Sequence, residues 1–205
     1  MSSHADLHNL PAEPEKATLE GRNKVLGFWL FLGAETVLFG CLFATFIGLR
    51  NQIADGPPGM EIFKLSTVAL ATFLLLTSSM TSVLAVQAMH RKSTSAMQLW
   101  FGITVLLGLG FLGLEIYEFF EYVHEGHKFS TSAFSSSFYT LVGFHGAHVL
   151  FGVIWISLLM LQLARKGLTV VTAPKLYLAS LYWHFIDVVW VFIFTIVYLM
   201  GKVAE

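Results

Sequence analysis

Two pairs of side chains that could carry out chemistry lie in stretches of the sequence that are otherwise apolar. His184 and Asp187 lie within residues 181–198, and His145 and His148 repeat the same spacing in an earlier apolar stretch. Residues three apart lie on one face of a helix, so each pair should project in one direction. A charged group inside a bilayer costs at least ~2.5 kcal/mol, so these side chains should face protein or water.

Two further carboxyl groups fall inside apolar stretches. Glu35 lies ten residues into the first stretch, ~15 Å along a helix axis and so near mid-bilayer. It is either a neutral acid that ties two helices together or a proton-linked group. Carboxyl groups inside membranes are functional by default, so the proton-linked interpretation is favoured for Glu35 and Asp187. Glu115 lies inside the bilayer or at its outer edge, whereas Glu118, Glu121 and His124 should form a solvated face beyond it.

A metal site is a more specific alternative interpretation of these residues. Three ligand-like pairs are present: Glu121 with His124, His145 with His148, and His184 with Asp187. They are similar to the ligands of carboxylate–histidine di-iron bundles, which need two Glu-x-x-His motifs where this chain has one. The predicted depths of the first and last pairs also disagree. No metal ligand is therefore expected, and an independent membrane di-metal enzyme stays as an alternative.

The composition predicts the elements that must position these groups. Of 205 residues, 56% are hydrophobic and 12% are charged, about half the charge of a soluble domain, and the net charge of −1 suggests no nucleic-acid partner. Residues 1–24 read as a polar, flexible N-terminal tail, and residues 25–201 as a membrane domain. Five apolar segments are each near or above the ~20 residues that cross a bilayer. They span residues 25–49, 66–89, 97–120, 138–164 and 177–200. The fold class is therefore all-α, an integral membrane bundle of five transmembrane helices.

Positive charges predict the orientation of this bundle. With the N-terminus inside, eight Lys and Arg residues fall on the inner side and four on the outer side. The outer four are Arg50, Lys64, Lys128 and Lys202. The positive-inside rule then places the N-terminus in the cytoplasm and the C-terminus outside.

Small and hydroxyl residues predict close helix packing. Residues 77–82 read Thr-Ser-Ser-Met-Thr-Ser, and the third segment carries Gly102, Gly108, Gly110 and Gly113. Such residues let helix backbones approach each other and bond across the gap.

Several motifs together are more specific than any one of them. They are GFWLFLGAETVLF, GFLGLEIYEF, FYTLVGFHGAHVLFG and TAPKLYLASLYWHFIDVVW, followed by VFIFTIVYLMG. In this order, the chain resembles subunit III of the heme–copper terminal oxidases over residues 22–201. It is similar to the short bacterial form with five helices. The likeness is greater to the cytochrome c oxidase branch, and the quinol oxidase branch shares nearly the same motifs.

The resemblance implies a non-redox accessory subunit with no catalytic residue of its own. Haem and copper would belong to partner subunits I and II, with a small subunit IV as a further partner and cytochrome c or a quinol as electron donor. The chain would lie in the bacterial cell membrane, hold phospholipid between its helices, stabilise the catalytic subunit and support proton uptake. A small transporter with Glu35 and Asp187 as relay groups is the remaining alternative, although the two related halves typical of transporters are missing.

The resemblance also implies roles for individual residues. Glu35 matches the family's buried carboxyl group known for reacting with carbodiimide. The family's FHG-x-H, YWHF-x-D and helix-three glutamate positions imply a set of interhelical polar or lipid-cleft residues. These are Glu115, His145, His148, Tyr182, Trp183 and His184, with Asp187 completing the second motif.

Overall fold

Five long helices make up the chain. The computed structural model describes residues 10–52, 65–124, 126 and 129–200, and all regular secondary structure within them is helical. The helices are α1 (Leu19–Leu49), α2 (Leu65–His90), α3 (Thr94–His124), α4 (Ala133–Lys166) and α5 (Thr172–Ile193), and α5 continues as a π-helix over Phe194–Leu199. All five are long and apolar enough to cross a membrane, which confirms the predicted fold class.

Polar caps set the first residues of α1 and α4, and hydropathy does not detect them. The Thr18 hydroxyl accepts a hydrogen bond from the Gly21 amide at 3.0 Å and starts α1 at Leu19, before the predicted residue 25. Ser132 caps α4 in the same way through the Ser135 amide at 3.1 Å. A capped helix begins at its cap, whereas an apolar window finds only the part that suits hydrocarbon. Several helices therefore extend beyond the ends of the predicted apolar segments.

The helices form an up-and-down bundle around α5. α5 packs against α1, α2 and α4, while α2 and α3 form a hairpin and α3 packs against α4. Half of the most apolar stretch of α5 is buried, against 17% of that of α1. The outward faces carry large apolar side chains, as expected for surfaces in contact with lipid. α1 is therefore the peripheral helix of the described bundle.

The described part of the N-terminal segment is not the flexible tail that its polarity predicts. A short 3₁₀ turn at Pro14–Lys16 packs against α1 and α5. Glu15 is only 1% exposed, and its Oε1 lies 3.4 Å from Nε2 of His90 at the end of α2. This contact anchors the segment, which corrects the prediction from residue 10 onward. Residues 1–9 lie outside the described residues.

The predicted orientation stays a prediction. Adjacent helices run antiparallel, so the helix ends alternate between two sides as required. Three of the four predicted outer cations, Lys64, Lys128 and Lys202, lie outside the described residues. The division at residues 24 and 25 likewise stays a prediction, since α1 runs through it.

Candidate functional site

A row of hydroxyl groups on α2 bonds to polar side chains on α5. Trp183 donates from Nε1 to Ser78 Oγ at 2.9 Å, and Nδ1 of His184 lies 2.6 Å from Ser79 Oγ. Two further bonds join the same helices: Ser82 Oγ to Ser180 Oγ at 2.8 Å, and Trp190 Nε1 to Thr72 Oγ1 at 3.0 Å. The prediction that the hydroxyl cluster of the second segment joins helices is therefore confirmed.

Trp183 fits into a slot lined by two glycines. A Cβ atom at Gly108 of α3 would lie 2.7 Å from the indole Cη2, and one at Gly152 of α4 would lie 2.9 Å from Cζ3. Both distances are too short for real contacts, so neither position admits a side chain unless the ring moves. Gly113, by contrast, has nothing within 4 Å of its Cβ position. The prediction of close helix packing is thus confirmed at Gly108 and wrong at Gly113.

Glu35 pairs with His148 across α1 and α4. Nε2 of His148 lies 3.1 Å from Oε2 of Glu35, and both side chains are mostly buried. Nδ1 of His148 lies 2.7 Å from the carbonyl oxygen of Phe144, which can only accept, so Nδ1 carries a proton. The bond at Nε2 then joins either a neutral imidazole to the carboxylic acid of Glu35 or an imidazolium to its carboxylate. The pair has no net charge in either form.

The two histidines of α4 point to different neighbours. His145 is fully buried, with its ring centroid 5.7 Å from that of Phe111 on α3 and 5.1 Å from that of Trp190 on α5. His148 instead faces Glu35 on α1. The expectation that both histidines project in one direction is therefore wrong. Three residues subtend about 300° rather than a full turn, and that offset is enough to direct them to different helices.

Three carboxyl groups lie in the interior with His145. Asp187 is 4% exposed, and Glu115 is buried with its carboxyl group against Gly146 of α4, where a Cβ atom would collide with it. Glu118 is 5% exposed, so the predicted solvated face does not include it. The sequence did contain the signal, because Glu118 is three residues after Glu115 and shares its inward face.

Tyr182 and Trp183 point to different neighbours from the same motif. The Tyr182 hydroxyl donates to the carbonyl oxygen of His148 at 3.2 Å, and its ring packs edge-on against Phe151. Tyr182 thus supports the helix turn that carries the Glu35 partner. Trp183 instead packs toward α2 and α3, as described above.

Several of these groups join helices, and their arrangement does not suit a metal. Within residues 10–52, 65–124, 126 and 129–200, no set of three or more His, Cys, Asp or Glu side chains is placed to hold a metal ion.

Comparison with known proteins agrees with the sequence motifs. The family model described as cytochrome c oxidase subunit III matches residues 15–202. The cytochrome c oxidase subunit 3 of Bacillus sp. (strain PS3) is 66% identical over 195 residues, 95% of this chain and 94% of that protein. The protein of the same name from Bacillus subtilis (strain 168) gives the same identity and coverage. The quinol oxidase subunit 3 of Bacillus subtilis (strain 168) is 52% identical over 198 residues, 97% of each chain. These matches confirm the resemblance, and the chain belongs to the cytochrome c oxidase subunit III family.

Proposed function

We propose that this chain is the non-redox subunit III of a proton-pumping heme–copper oxidase of the cytochrome c type. It works in aerobic respiration in the bacterial cell membrane, beside subunits I and II and a small subunit IV. The observation that carries the proposal is the 66% identity to two subunits named for cytochrome c oxidase, over 95% of the chain. The 52% identity to a quinol oxidase subunit keeps the quinol type as the second candidate.

The redox chemistry is assigned to the partner subunits. Haem needs axial ligands that point at one iron atom, and a copper centre needs converging nitrogen or sulfur ligands. The two histidines of α4 diverge, and the described residues hold no candidate metal cluster. No step of electron transfer or oxygen reduction is therefore assigned to residues of this chain.

The role of this chain is to maintain a rigid, polar-linked bundle beside the catalytic subunit. The bonds of Trp183, His184 and Ser180 to α2 fix α5 in register, since each would leave a polar group unpaired if the helices slid. Bound phospholipid fills the remaining grooves between helices. A rigid surface of this kind stabilises subunit I during turnover.

Glu35 and Asp187 are assigned a proton-linked role. Glu35 supports this assignment because its carboxyl group, on the peripheral helix α1, lies 3.1 Å from Nε2 of His148 on α4, which could accept or donate a proton there. Asp187 supports the assignment because its carboxyl group, on α5, is buried in the interior of the bundle. The remaining predicted residues are assigned to contacts between helices, by packing for Glu115 and His145 and by hydrogen bonds for His148, Tyr182, Trp183 and His184.

Purification in mild detergent tests the proposal, with subunit masses and an absorption spectrum as readouts. We expect haem and copper to copurify with larger partner chains, and reduced cytochrome c to be a better electron donor than a quinol. A preference for quinol would select the second candidate. A colourless preparation would instead support the transporter, and metal retained by this chain alone would support the di-metal enzyme.

A further inference from the structure

Four buried titratable groups lie at successive levels along the axis of the bundle. α3 and α5 run in the same direction, and the ring centroids of Phe111 and Trp190 are 4.6 Å apart, which sets a common level. At 1.5 Å per residue, Asp187 lies ~4.5 Å before this level, and Glu115 and Glu118 lie ~6 and ~10 Å beyond it. The His145 ring stands at the level itself, against Trp190. The four groups therefore span ~15 Å along the bundle axis.

Polar contacts extend this series toward the other end of the bundle. Nδ1 of His184 lies 2.6 Å from the Ser79 hydroxyl, and its Nε2 lies 3.5 Å from the Ser180 hydroxyl. Ser180 in turn bonds to Ser82 at 2.8 Å. Ser180 lies ~15 Å from the Trp190 level, so the whole series covers ~25 Å of the ~30 Å hydrocarbon layer.

No cation accompanies the carboxyl groups in this series. The sequence has no Lys or Arg between Lys92 and Lys128, or between Lys175 and Lys202. An ionised carboxylate buried without a counter-ion is unfavourable by several kcal/mol. Glu115, Glu118 and Asp187 are therefore neutral acids, each with an O–H group that must donate a hydrogen bond.

The side chains around these groups do not satisfy all of their polar atoms. Within the described part of the chain, Oε1 of Glu115, Oε1 of Glu118 and both nitrogens of His145 have no hydrogen-bond partner. Among the same residues, the carboxyl group of Asp187 has only the Ser79 hydroxyl as a polar neighbour, and neither of its oxygens meets that hydroxyl in good hydrogen-bond geometry. Buried polar groups in folded proteins are almost always bonded, and ordered water bonds those that side chains do not reach.

We propose that the interior of α2–α5 is a binding site for a file of ordered water molecules. The file links Glu118, Glu115, His145 and Asp187, and it continues through His184 toward Ser82. It keeps three carboxylic acids protonated and lets their protons exchange with the solvent. The inference does not depend on the oxidase assignment, because it uses only the interior of the bundle.

Infrared spectroscopy of the intact purified complex tests the proposal. Spectra of the wild type minus the Glu115→Gln variant, and minus the Asp187→Asn variant, should each isolate the C=O band of a protonated carboxylic acid. Each band should shift to lower frequency within minutes of transfer to D₂O. The control variant Glu20→Gln removes an exposed carboxylate and should give no such band. Absence of the band, or a band that does not shift over hours, would overturn the proposal.

A second measurement separates a wet interior from a dry one. His145→Phe replaces the buried imidazole by an apolar ring of similar shape. In a dry interior this change removes two unbonded nitrogens, so the complex should become more resistant to heat. With water bound, it leaves water and acids without a partner, so the chain should dissociate about tenfold faster on heating. Equal or slower dissociation would refute the file, while copurification of the oxidase subunits reports separately on the proposed function.

Discussion

Replacing Gly108 by alanine should loosen the centre of the bundle, and replacing Gly113 should not. The new Cβ atom at Gly108 would lie 2.7 and 2.9 Å from two atoms of the Trp183 ring and 3.1 Å from Val153. The ring cannot retreat, because a glycine on α4 confines its far edge and its Nε1 bonds to Ser78 at 2.9 Å. Overpacking of this kind costs about 1–3 kcal/mol, and a displaced indole loses a hydrogen bond worth about 1 kcal/mol more.

The same substitution also stabilises the helix itself, and this gain must be subtracted from the cost of overpacking. Alanine is better than glycine in a helix by about 1 kcal/mol. Gly108→Ala should therefore destabilise the chain by about 1–3 kcal/mol in net terms. Gly113→Ala receives only the benefit, since its Cβ position has nothing within 4 Å. The two variants have the same chemistry in the same helix and differ in one neighbour.

The assay is the fraction of this chain that stays with the purified complex after stepwise heating. We expect Gly108→Ala to dissociate at a temperature several degrees lower than the wild type, and Gly113→Ala to match or exceed the wild type. If both variants behave alike, the confinement of Trp183 does not contribute to stability and the reasoning fails.

Three further predictions concern other parts of the chain. Glu35→Gln should leave the complex assembled, because the amide can donate to Nε2 of His148 as the protonated acid does; loss of partner subunits on purification would contradict this. His184→Leu should weaken assembly more than electron transfer, because it removes the hydrogen bond between the imidazole and the Ser79 hydroxyl, worth about 1 kcal/mol; a haem-reduction defect with all subunits retained would count against it. Gly167→Ala should lower the thermal midpoint of dissociation, since its φ of 69° and ψ of −177° suit only glycine and strain there costs about 1–3 kcal/mol; an unchanged midpoint would show that the turn relaxes freely.

Much of the fold is predictable because the bilayer imposes it. Apolar length identifies five spans, and the hydroxyl residues identify a face of α2 that packs against another helix. Thr18 was a readable cap as well, but a polar residue ahead of an apolar run does not by itself show that the helix begins there. The anchored turn at Pro14–Lys16 is harder still, because a polar segment becomes ordered only through partners remote in sequence.

The arrangement of the site is less predictable from the sequence than the residues that form it. Depth in an apolar stretch identifies Glu35, and spacing identifies His145 and His148, but neither shows which helix each residue faces. That choice depends on crossing angles and on a rotation of tens of degrees between residues three apart. Position along the chain alone puts Glu118 in solvent, whereas the structure buries it. A carboxyl group about one turn beyond Glu115 shares its inward face, so the burial of one favours the burial of the other.

The bond between Glu35 and His148 also has a consequence for how the protein is made. The two residues are 113 positions apart, so α1 leaves the ribosome long before α4 exists. At about 5–20 residues per second, Glu35 waits for its partner for roughly 6 to 23 seconds. During that interval the first helix has an acid facing lipid or the insertion machinery. The final docking of α1, the most peripheral helix of the bundle, is therefore completed only after α4 has been made.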